Sequence, residues 1–231
     1  MNRAVFLFSG LLGLCLDLAG SAQTVAVNLL GESESAFLEN WQERGFPLIS
    51  ATEYEALETD GQLIVTGRSV DSNRALLREI NVKNPQVARL RWRWRVRAEL
   101  PDDIDQRSKR GDDFAARVFV VFETSIIPTR TRAINYVWSV NELPGTVFPS
   151  PYTRQVGHIV LRDKSGDAES RDWHLEERDV LADYERFFGE LPRRISGVAI
   201  MVDTDNTDSR AEADFTELFL EIIPAPETSR P

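Results

Sequence analysis

Short runs of alternating apolar and polar residues, separated by turn-forming residues, extend along the chain from Glu53 onward. Such runs are typical of β-strands with one buried face. We predict a single all-β domain, a jelly-roll-type β-sandwich of about ten strands. The predicted strands are 53–58, 63–68, 75–82, 89–100, 114–123, 133–140, 155–162, 173–178, 195–202 and 211–223.

Two segments have apolar residues at helical spacing instead, and we predict a short peripheral helix at each. They are 35–44, with Phe37, Leu38 and Trp41, and 179–188, with Leu181, Tyr184, Phe187 and Phe188. The charged stretch 101–113 follows the regular pattern of neither strand nor helix. We expect it to be an exposed loop, and long loops on rigid sheets often carry function.

The N-terminal 22 residues have the pattern of a secretory signal. Arg3 supplies the positive start, 4–18 is a short apolar stretch, and Gly20 and Ala22 are small enough for cleavage before Gln23. We therefore predict a signal peptide over 1–22 and a periplasmic or secreted domain over 23–231. The apolar stretch is too short for a comfortable membrane span, so we expect no stable span after its removal.

Removal of the signal would take away Cys15, the only cysteine, and leave a domain without disulfides or a thiolate nucleophile. The formal net charge of −10 argues against nucleic acid as a partner, because binding nucleic acid needs a basic surface. His158 and His174 do not have zinc-site spacing, and the sequence contains no Gly-x-Ser-x-Gly motif. Zinc hydrolysis and serine acyl transfer therefore receive no support.

Charged residues lie at the ends of two apolar, strand-like runs. Asp112, Asp113 and Arg117 lead into 118–122, and Asp203 and Asp205 follow 198–202. A half-buried carboxylate is costly unless an arginine, backbone N–H groups or a cation holds it. We predict a partly buried cluster of Arg117 with one or more of these aspartates. It is either a structural ion pair or part of a ligand-binding site.

Polar and aromatic residues on 133–140 and in the following loop extend this candidate surface. Asn135 lies on one face of the strand, while Tyr136 and Trp138 lie on the other with the apolar positions. Aromatic residues at strand alternation usually belong to the core, but on an open cleft these two would form a platform for a sugar ring. Tyr152 and Arg154 offer a further aromatic ring and hydrogen-bond donors in a loop.

The run 203–208 supplies several oxygen ligands at close spacing. Asp203, Asp205 and Asp208 could hold a hard cation such as calcium, and Asn206 adds a polar contact. The alternative is an Asx-rich turn that caps its own backbone, with no cofactor at all. The run does not fit a helix-loop-helix calcium loop, because Asp208 replaces the required glycine and a strand follows.

Arginines alternate with apolar residues on the predicted strand 89–100. The five arginines at 89, 91, 93, 95 and 97 face one side, and Leu90, Trp92 and Trp94 face the other. The arginine face could bind a polyanion such as an acidic polysaccharide. The alternative is cross-strand pairing with acidic residues, namely Glu53, Glu55, Glu212 or Glu217.

Five motifs in order resemble those of an exported bacterial family of unknown function. They are 112–118 (DDFAARV), 134–138 (INYVW), 150–153 (SPYT), 188–190 (FGE) and 203–207 (DTDNT). This resemblance implies no reaction. More loosely, the 90–94 and 211–215 strands resemble jelly-roll domains of the galactose-binding and carbohydrate-binding-module type. That resemblance implies sugar binding on a sheet face or on rim loops, often with structural calcium.

Together these features predict an exported, non-catalytic domain that binds an oligosaccharide or a polar small molecule. The first alternative is a glycosidase or lyase that uses two carboxylates, since a glycosidase needs only two carboxyl groups at suitable separation. The second is an envelope accessory protein whose ligand is another protein, and the sequence does not identify that partner. No catalytic residue can be assigned from the sequence.

Overall fold

The computed structural model describes residues 24–122, 131–164 and 172–223. The predicted signal peptide, Cys15 and Glu123 lie outside the described residues. The strands are β1 (Val25–Asn28), β2 (Trp41–Arg44), β3 (Glu53–Thr59), β4 (Gln62–Val70), β5 (Asn73–Lys83), β6 (Val87–Ala98), β7 (Ala116–Phe122), β8 (Arg132–Ser139), β9 (Val147–Pro149), β10 (Val156–Asp163), β11 (His174–Asp179), β12 (Arg194–Asp203) and β13 (Arg210–Ile223); the helices are α1 (Glu34–Asn40) and α2 (Val180–Phe188).

The strands form two sheets that pack face to face, as predicted for a jelly-roll-type β-sandwich. The six-stranded sheet has the order β11-β6-β13-β4-β3, with β1 also paired to β13, and the seven-stranded sheet has the order β2-β5-β12-β7-β8-β10-β9. Each predicted strand is present, with ends that differ by no more than two residues. The additional strands β1, β2 and β9 have four residues or fewer, too short for a recognisable alternation.

The first predicted helix is wrong over its last four positions. Helix α1 ends at Asn40, and Trp41–Arg44 forms the edge strand β2 against β5. The Trp41 indole N–H donates to the backbone oxygen of Leu29 at 2.9 Å, which holds this residue in the core rather than on a continuing helix. The second helix is confirmed as α2, with Asp179 as its N-cap and Gly189 in the left-handed conformation at its end.

The core between the sheets is built from aromatic side chains of β6 and β8. Trp92 packs tilted against Tyr136 with ring centroids 5.4 Å apart, and Trp94 packs edge-on against Trp138 at 5.9 Å. All four side chains are fully buried. Tyr136 and Trp138 therefore belong to the core, and the prediction that they form an open platform for a sugar ring is corrected.

The arginine face of β6 lies on the outside of the six-stranded sheet and is paired with acids of β13. Arg95 and Arg97 both contact the fully buried carboxylate of Asp214 at 2.6 Å. Arg97 also lies near Glu212, and Arg93 lies 3.6 Å from Glu217. The expected cross-strand pairing is thus present, and its main acceptor is Asp214, a residue that the sequence pattern did not single out.

The stretch 101–113 packs more closely than the expected exposed loop. The Gln106 side chain is buried, and its amide donates to the backbone oxygen of Asp113 at 2.7 Å. Its carbonyl accepts from the Val140 N–H at 3.0 Å. A Cβ at Gly111 would lie 2.3 Å from the backbone oxygen of Asp105, so only glycine fits there. These contacts hold Asp112 and Asp113 in fixed positions shortly before β7.

No helix in the described ranges is long and apolar enough to cross a membrane.

Glu99 follows β6 directly, and the burial of its carboxyl group leads to a stability prediction. Burial raises the pKa of Glu99 to about 7, and the nearby Lys164 charge opposes this only in part. The folded-state pKa of Glu99 lies above its unfolded value. The contribution of the protonated carboxyl group to the free energy of unfolding is therefore fully present below about pH 4.5 and is lost as the pH rises through 7. We expect Glu99→Gln to stabilise the protein by about 2 to 3 kcal/mol near pH 8 and to have no effect near pH 4.

Urea unfolding of both proteins across this pH range measures the difference. Glu58→Gln, at an exposed position of β3, is the matched control for loss of one negative charge. An equal shift for both variants, or a Glu99→Gln effect that does not change with pH, would contradict the assignment.

Candidate functional site

A cavity of about 680 Å³ opens on the outer face of the seven-stranded sheet, the face turned away from the aromatic core. Its wall comes from β5, β7, β10 and β12 and from the loops beside them. The lining residues are Arg44, Gly45, Phe46, Ile49, Asn73, Ala75, Asp112, Arg117, Phe119, Ser150, Tyr152, Val156, His158, Met201, Asp203, Asp205 and Asn206.

Arg117 and Asp203 form a buried two-point ion pair at one end of this cavity. The guanidinium Nε and Nη2 donate to the two Asp203 carboxylate oxygens at 2.7 and 2.6 Å. The register explains the contact, because Arg117 lies opposite Met201 and a long side chain reaches the diagonal residue two positions further along. Nη2 also donates to the backbone oxygen of Asp112. Burial raises the pKa of Asp203, and the Arg117 charge opposes that rise.

Asp113 holds the loop that follows β12. Its carboxylate accepts from the backbone N–H groups of Asn206 at 3.1 Å and Thr207 at 2.8 Å, and from the Thr207 hydroxyl at 2.6 Å. The Asn206 side-chain amide adds a further bond at 3.0 Å. Asp113 is fully buried, so these donors stabilise its charge. The two acidic segments predicted from the sequence therefore meet, one tied to the other through backbone donors.

Asp112, His158 and Asn135 form a second buried polar group beside the ion pair. Asn135 and His158 are neighbours across the parallel β8–β10 pairing, and the Asn135 amide nitrogen lies 2.8 Å from His158 Nδ1. His158 Nε2 lies 3.5 Å from Asp112 Oδ1. Burial, followed by the Arg117 charge, lowers the pKa of His158 to about 3, so the imidazole is neutral at physiological pH. Burial raises the pKa of Asp112, against the opposing effect of Arg117.

Two exposed aromatic side chains flank the cavity. Tyr152 is 56% exposed and Phe46 is 63% exposed. The Tyr152 hydroxyl donates to the Asn206 side-chain oxygen at 2.6 Å, which ties the loop after β9 to the loop after β12. Tyr152 therefore presents a positioned ring to solvent at the edge of the cavity.

The structure brings most of the predicted site residues together. The residues that line the cavity are Asp112, Arg117, Tyr152, Asp203, Asp205 and Asn206. Asp113 and Asn135 lie behind this lining and hold lining residues in place. Arg154 is exposed and does not line the cavity, and Asp208 is exposed in a turn on a different part of the surface. Tyr136 and Trp138 are in the core, as described above.

The sequence reasoning missed His158, Asn73 and Phe46. His158 has no metal-site spacing, yet its alternation with Ile159 on the predicted strand 155–162 places it on the outer face. Asn73 donates to Asp205 at 3.0 Å. Phe46 lies between short elements and has no periodic pattern around it, so no local signal marks it.

The predicted cation site receives a different set of residues. Carboxylate oxygens of Asp113, Asp203 and Asp205 lie within 4.8 Å of one another, whereas Asp208 lies outside this group. The Asp113 carboxylate is already occupied by N–H and O–H donors, and the Asp203 carboxylate is occupied by a guanidinium. A calcium ion would have to displace these donors and face the positive charge of Arg117. The residues present therefore do not fit a calcium site.

A family model described as "Protein of unknown function (DUF3047)" matches residues 39–219. This span includes both sheets' central strands and every residue of the cavity lining, so the chain belongs to that family. The expected resemblance to a family of unknown function is confirmed. No curated protein matches the chain in sequence.

The chain has weak structural similarity to several solved structures. One is TmCBM61 in complex with β-1,4-galactotriose, at 10% identity and a TM-score of 0.34, covering 78% of this chain and 86% of that one. Another is the xyloglucanase domain of NopAA, a type three effector from Sinorhizobium fredii, in complex with cellobiose, at 8% identity and a TM-score of 0.43, covering 80% and 94%. A third is the family 11 xylanase from Neocallimastix patriciarum, at 8% identity and a TM-score of 0.37, covering 87% and 100%.

The Arg117–Asp203 pair leads to a stability prediction. Arg117→Met keeps the apolar stem of the side chain but leaves the buried Asp203 carboxylate without its two-point donor, so we expect a loss of about 2 to 4 kcal/mol in the free energy of unfolding. Arg154→Met, at an exposed position, should change it by less than about 0.5 kcal/mol.

Denaturant unfolding of the Arg117→Met, Asp203→Asn and double variants measures the coupling. The double variant should lose less stability than the sum of the single losses, because no charge is left unpaired. Additive losses would mean that the two side chains act independently.

The donor arrangement around the carboxylates also leads to a prediction about metal. We expect the melting temperature to be unchanged by excess EDTA and by millimolar calcium, since the N–H donors and Arg117 already satisfy the oxygens that a cation would need. Thermal melts of metal-stripped protein with and without calcium make the measurement. A melting temperature that rises with calcium would show that the cation displaces those donors.

Proposed function

We propose that this member of the DUF3047 family binds a glycan or another polar ligand in the cavity on the seven-stranded sheet and does not catalyse a reaction of that ligand. The observation that carries the proposal is the composition of the cavity wall. Buried polar side chains lie beside apolar ones, and an exposed tyrosine ring is held at the rim. Sugar rings combine apolar C–H faces with hydroxyl groups, so such a wall can contact both.

The size and support of the cavity are consistent with this proposal. Small-molecule sites are typically pre-formed clefts of about 300 to 1,000 Å³ with a few well-placed polar groups. Here Arg117 and Asp203 are fixed by each other, and Asp113 fixes the loop that carries Asn206. The polar wall is thus assembled before any ligand arrives.

Export is part of the proposal and rests on the signal-like pattern of the first 22 residues. A periplasmic or secreted domain would meet glycans of the envelope or of the surroundings.

The second candidate is a carbohydrate-active enzyme, and one observation favours it. Asp112 and Asp205 both line the cavity, and burial is the main cause that raises the pKa of each. A glycosidase needs one carboxyl group protonated near neutral pH beside one that is ionised. A third candidate, an envelope accessory protein that binds another protein, has no comparable support in the cavity.

Binding on a glycan array tests the proposal. We expect the protein to bind one or more oligosaccharides, and Tyr152→Ala to weaken that binding by about 10-fold or more through loss of the stacking ring. Leu191→Ala, at an exposed apolar position outside the cavity lining, is the matched control and should bind normally.

Prolonged incubation of each bound glycan with the protein, followed by mass spectrometry, separates binding from catalysis. Intact glycan supports the binding domain. Cleavage that is lost in Asp112→Asn or Asp205→Asn supports the enzyme instead. Absence of glycan binding, with recovery of one protein by envelope crosslinking, supports the accessory protein.

A further inference from the structure

Two buried polar atoms in the cavity wall lack a hydrogen-bond partner among the described residues. They are Asp112 Oδ1 and His158 Nε2. The Asp112 side chain is 7% exposed and the His158 side chain is 1% exposed. An unsatisfied buried polar atom costs about 1 to 3 kcal/mol, so a pair of them in a cavity wall points to a group that satisfies both.

The neighbouring amide defines what His158 offers. The Asn135 side-chain nitrogen is only a donor, so His158 Nδ1 accepts at 2.8 Å and the ring proton of the neutral imidazole is on Nε2. Phe114 and Phe148 pack against the ring at centroid distances of 5.4 and 5.2 Å and fix its orientation. His158 therefore presents an N–H donor at its Nε2 atom.

Asp112 offers the complementary acceptor. Its backbone oxygen is held by Arg117, and its Oδ2 accepts only a long hydrogen bond, at 3.4 Å, from the Ser150 hydroxyl. The Oδ1 atom lies 3.5 Å from Arg117 Nη2, beyond a good hydrogen bond, and 3.5 Å from His158 Nε2. An acceptor and a donor thus lie side by side, each fixed by its own neighbours.

We propose that Asp112 Oδ1 and His158 Nε2 bind two adjacent hydroxyl groups, a vicinal diol, of a neutral sugar or polyol. One hydroxyl donates to Asp112 and its neighbour accepts from His158. The 3.5 Å separation of the two protein atoms suits adjacent hydroxyl oxygens, which are themselves about one hydrogen-bond length apart. This inference rests on the proposed function and names the ligand group that the cavity selects.

The surrounding charges favour a neutral ligand. The carboxylates of Asp112, Asp113, Asp203 and Asp205 lie around the guanidinium of Arg117. The other arginine of the lining, Arg44, is exposed and lies 3.5 Å from Glu79, so acidic groups outnumber basic ones at the cavity and an anionic sugar would be repelled. A cation could pair with Asp112 but would face the N–H donor of His158. A hydroxyl pair can donate and accept, and it satisfies both atoms without bringing charge into a buried site.

Nitrogen NMR of the two histidines tests the donor arrangement without any ligand. His158 should show the Nε2–H tautomer and stay neutral from about pH 8 to pH 4, because burial and the Arg117 charge lower its pKa to about 3. The His158→Gln variant assigns the signal, since His174 is the only other histidine. An Nδ1–H tautomer, or a protonated ring at pH 6, would overturn the proposal.

Binding of the tightest glycan from the array, measured with its monodeoxy analogues, tests the acceptor and donor together. Loss of either of two adjacent hydroxyls should weaken binding about 10- to 100-fold, the equivalent of one unsatisfied buried group. Asp112→Asn and His158→Phe should weaken binding of the parent glycan to a similar extent and no longer discriminate against the matching deoxy analogue. His158→Gln keeps an N–H donor and should retain most of the affinity. The uronic acid counterpart should bind more weakly than the neutral sugar.

The outcomes distinguish this inference from the function it rests on. Glycan binding that is weakened by Tyr152→Ala but unaffected by any deoxy analogue or by both site variants would overturn the diol assignment and leave the proposed function intact. Failure of the native protein to bind any glycan would overturn both. Thermal melts of each variant show whether a loss of binding follows from unfolding, and the His158→Gln and His158→Phe pair provides the comparison between two variants with the same histidine removed.

Discussion

The two-point ion pair between Arg117 and Asp203 is the contact on which the site depends. It joins the start of β7 to the end of β12, and the guanidinium also holds the backbone oxygen of Asp112. Burying an unpaired charge in this position would be costly, so neither side chain can move without the other. The pair lies on the outer face of a sheet whose inner face is packed with aromatic rings. This packing fixes the strands that carry the two side chains.

The neighbouring carboxylates are satisfied in different ways, and this division gives the site its character. Asp113 is bound by backbone N–H groups and has a structural role in holding the 206–207 loop. Asp203 is bound by Arg117. Asp112 keeps a buried oxygen without a hydrogen-bond partner among the described residues, close to a histidine nitrogen in the same condition. The polar group that remains for a ligand is therefore small, although the acidic cluster is large.

The sandwich could be predicted from the sequence because strand alternation is a local property. Ten strands and helix α2 follow from it directly, and the acidic runs at strand ends indicated where charge would be buried. The placement of His158 beside Asn135 could not be predicted, since it depends on the parallel pairing of β8 with β10 and on their register. Alternation assigns Tyr136 and Trp138 to the apolar face of their strand, but it does not say whether that face is covered by a second sheet or lines an open cleft. Asp214 could not be identified from the sequence either, because its partners Arg95 and Arg97 lie on a neighbouring strand and the contact depends on the pairing of the two strands.

The pairing of the first and last strands has a practical consequence for presentation of the cavity. Val25 lies opposite Ile222 in the β1–β13 ladder, so the described chain enters and leaves the sandwich at one place on the six-stranded sheet. The cavity is on the other sheet. A tether attached at either end, whether to a sensor chip, a bead or a fused domain, would therefore attach on the side of the six-stranded sheet. The cavity on the seven-stranded sheet would then face away from the point of attachment.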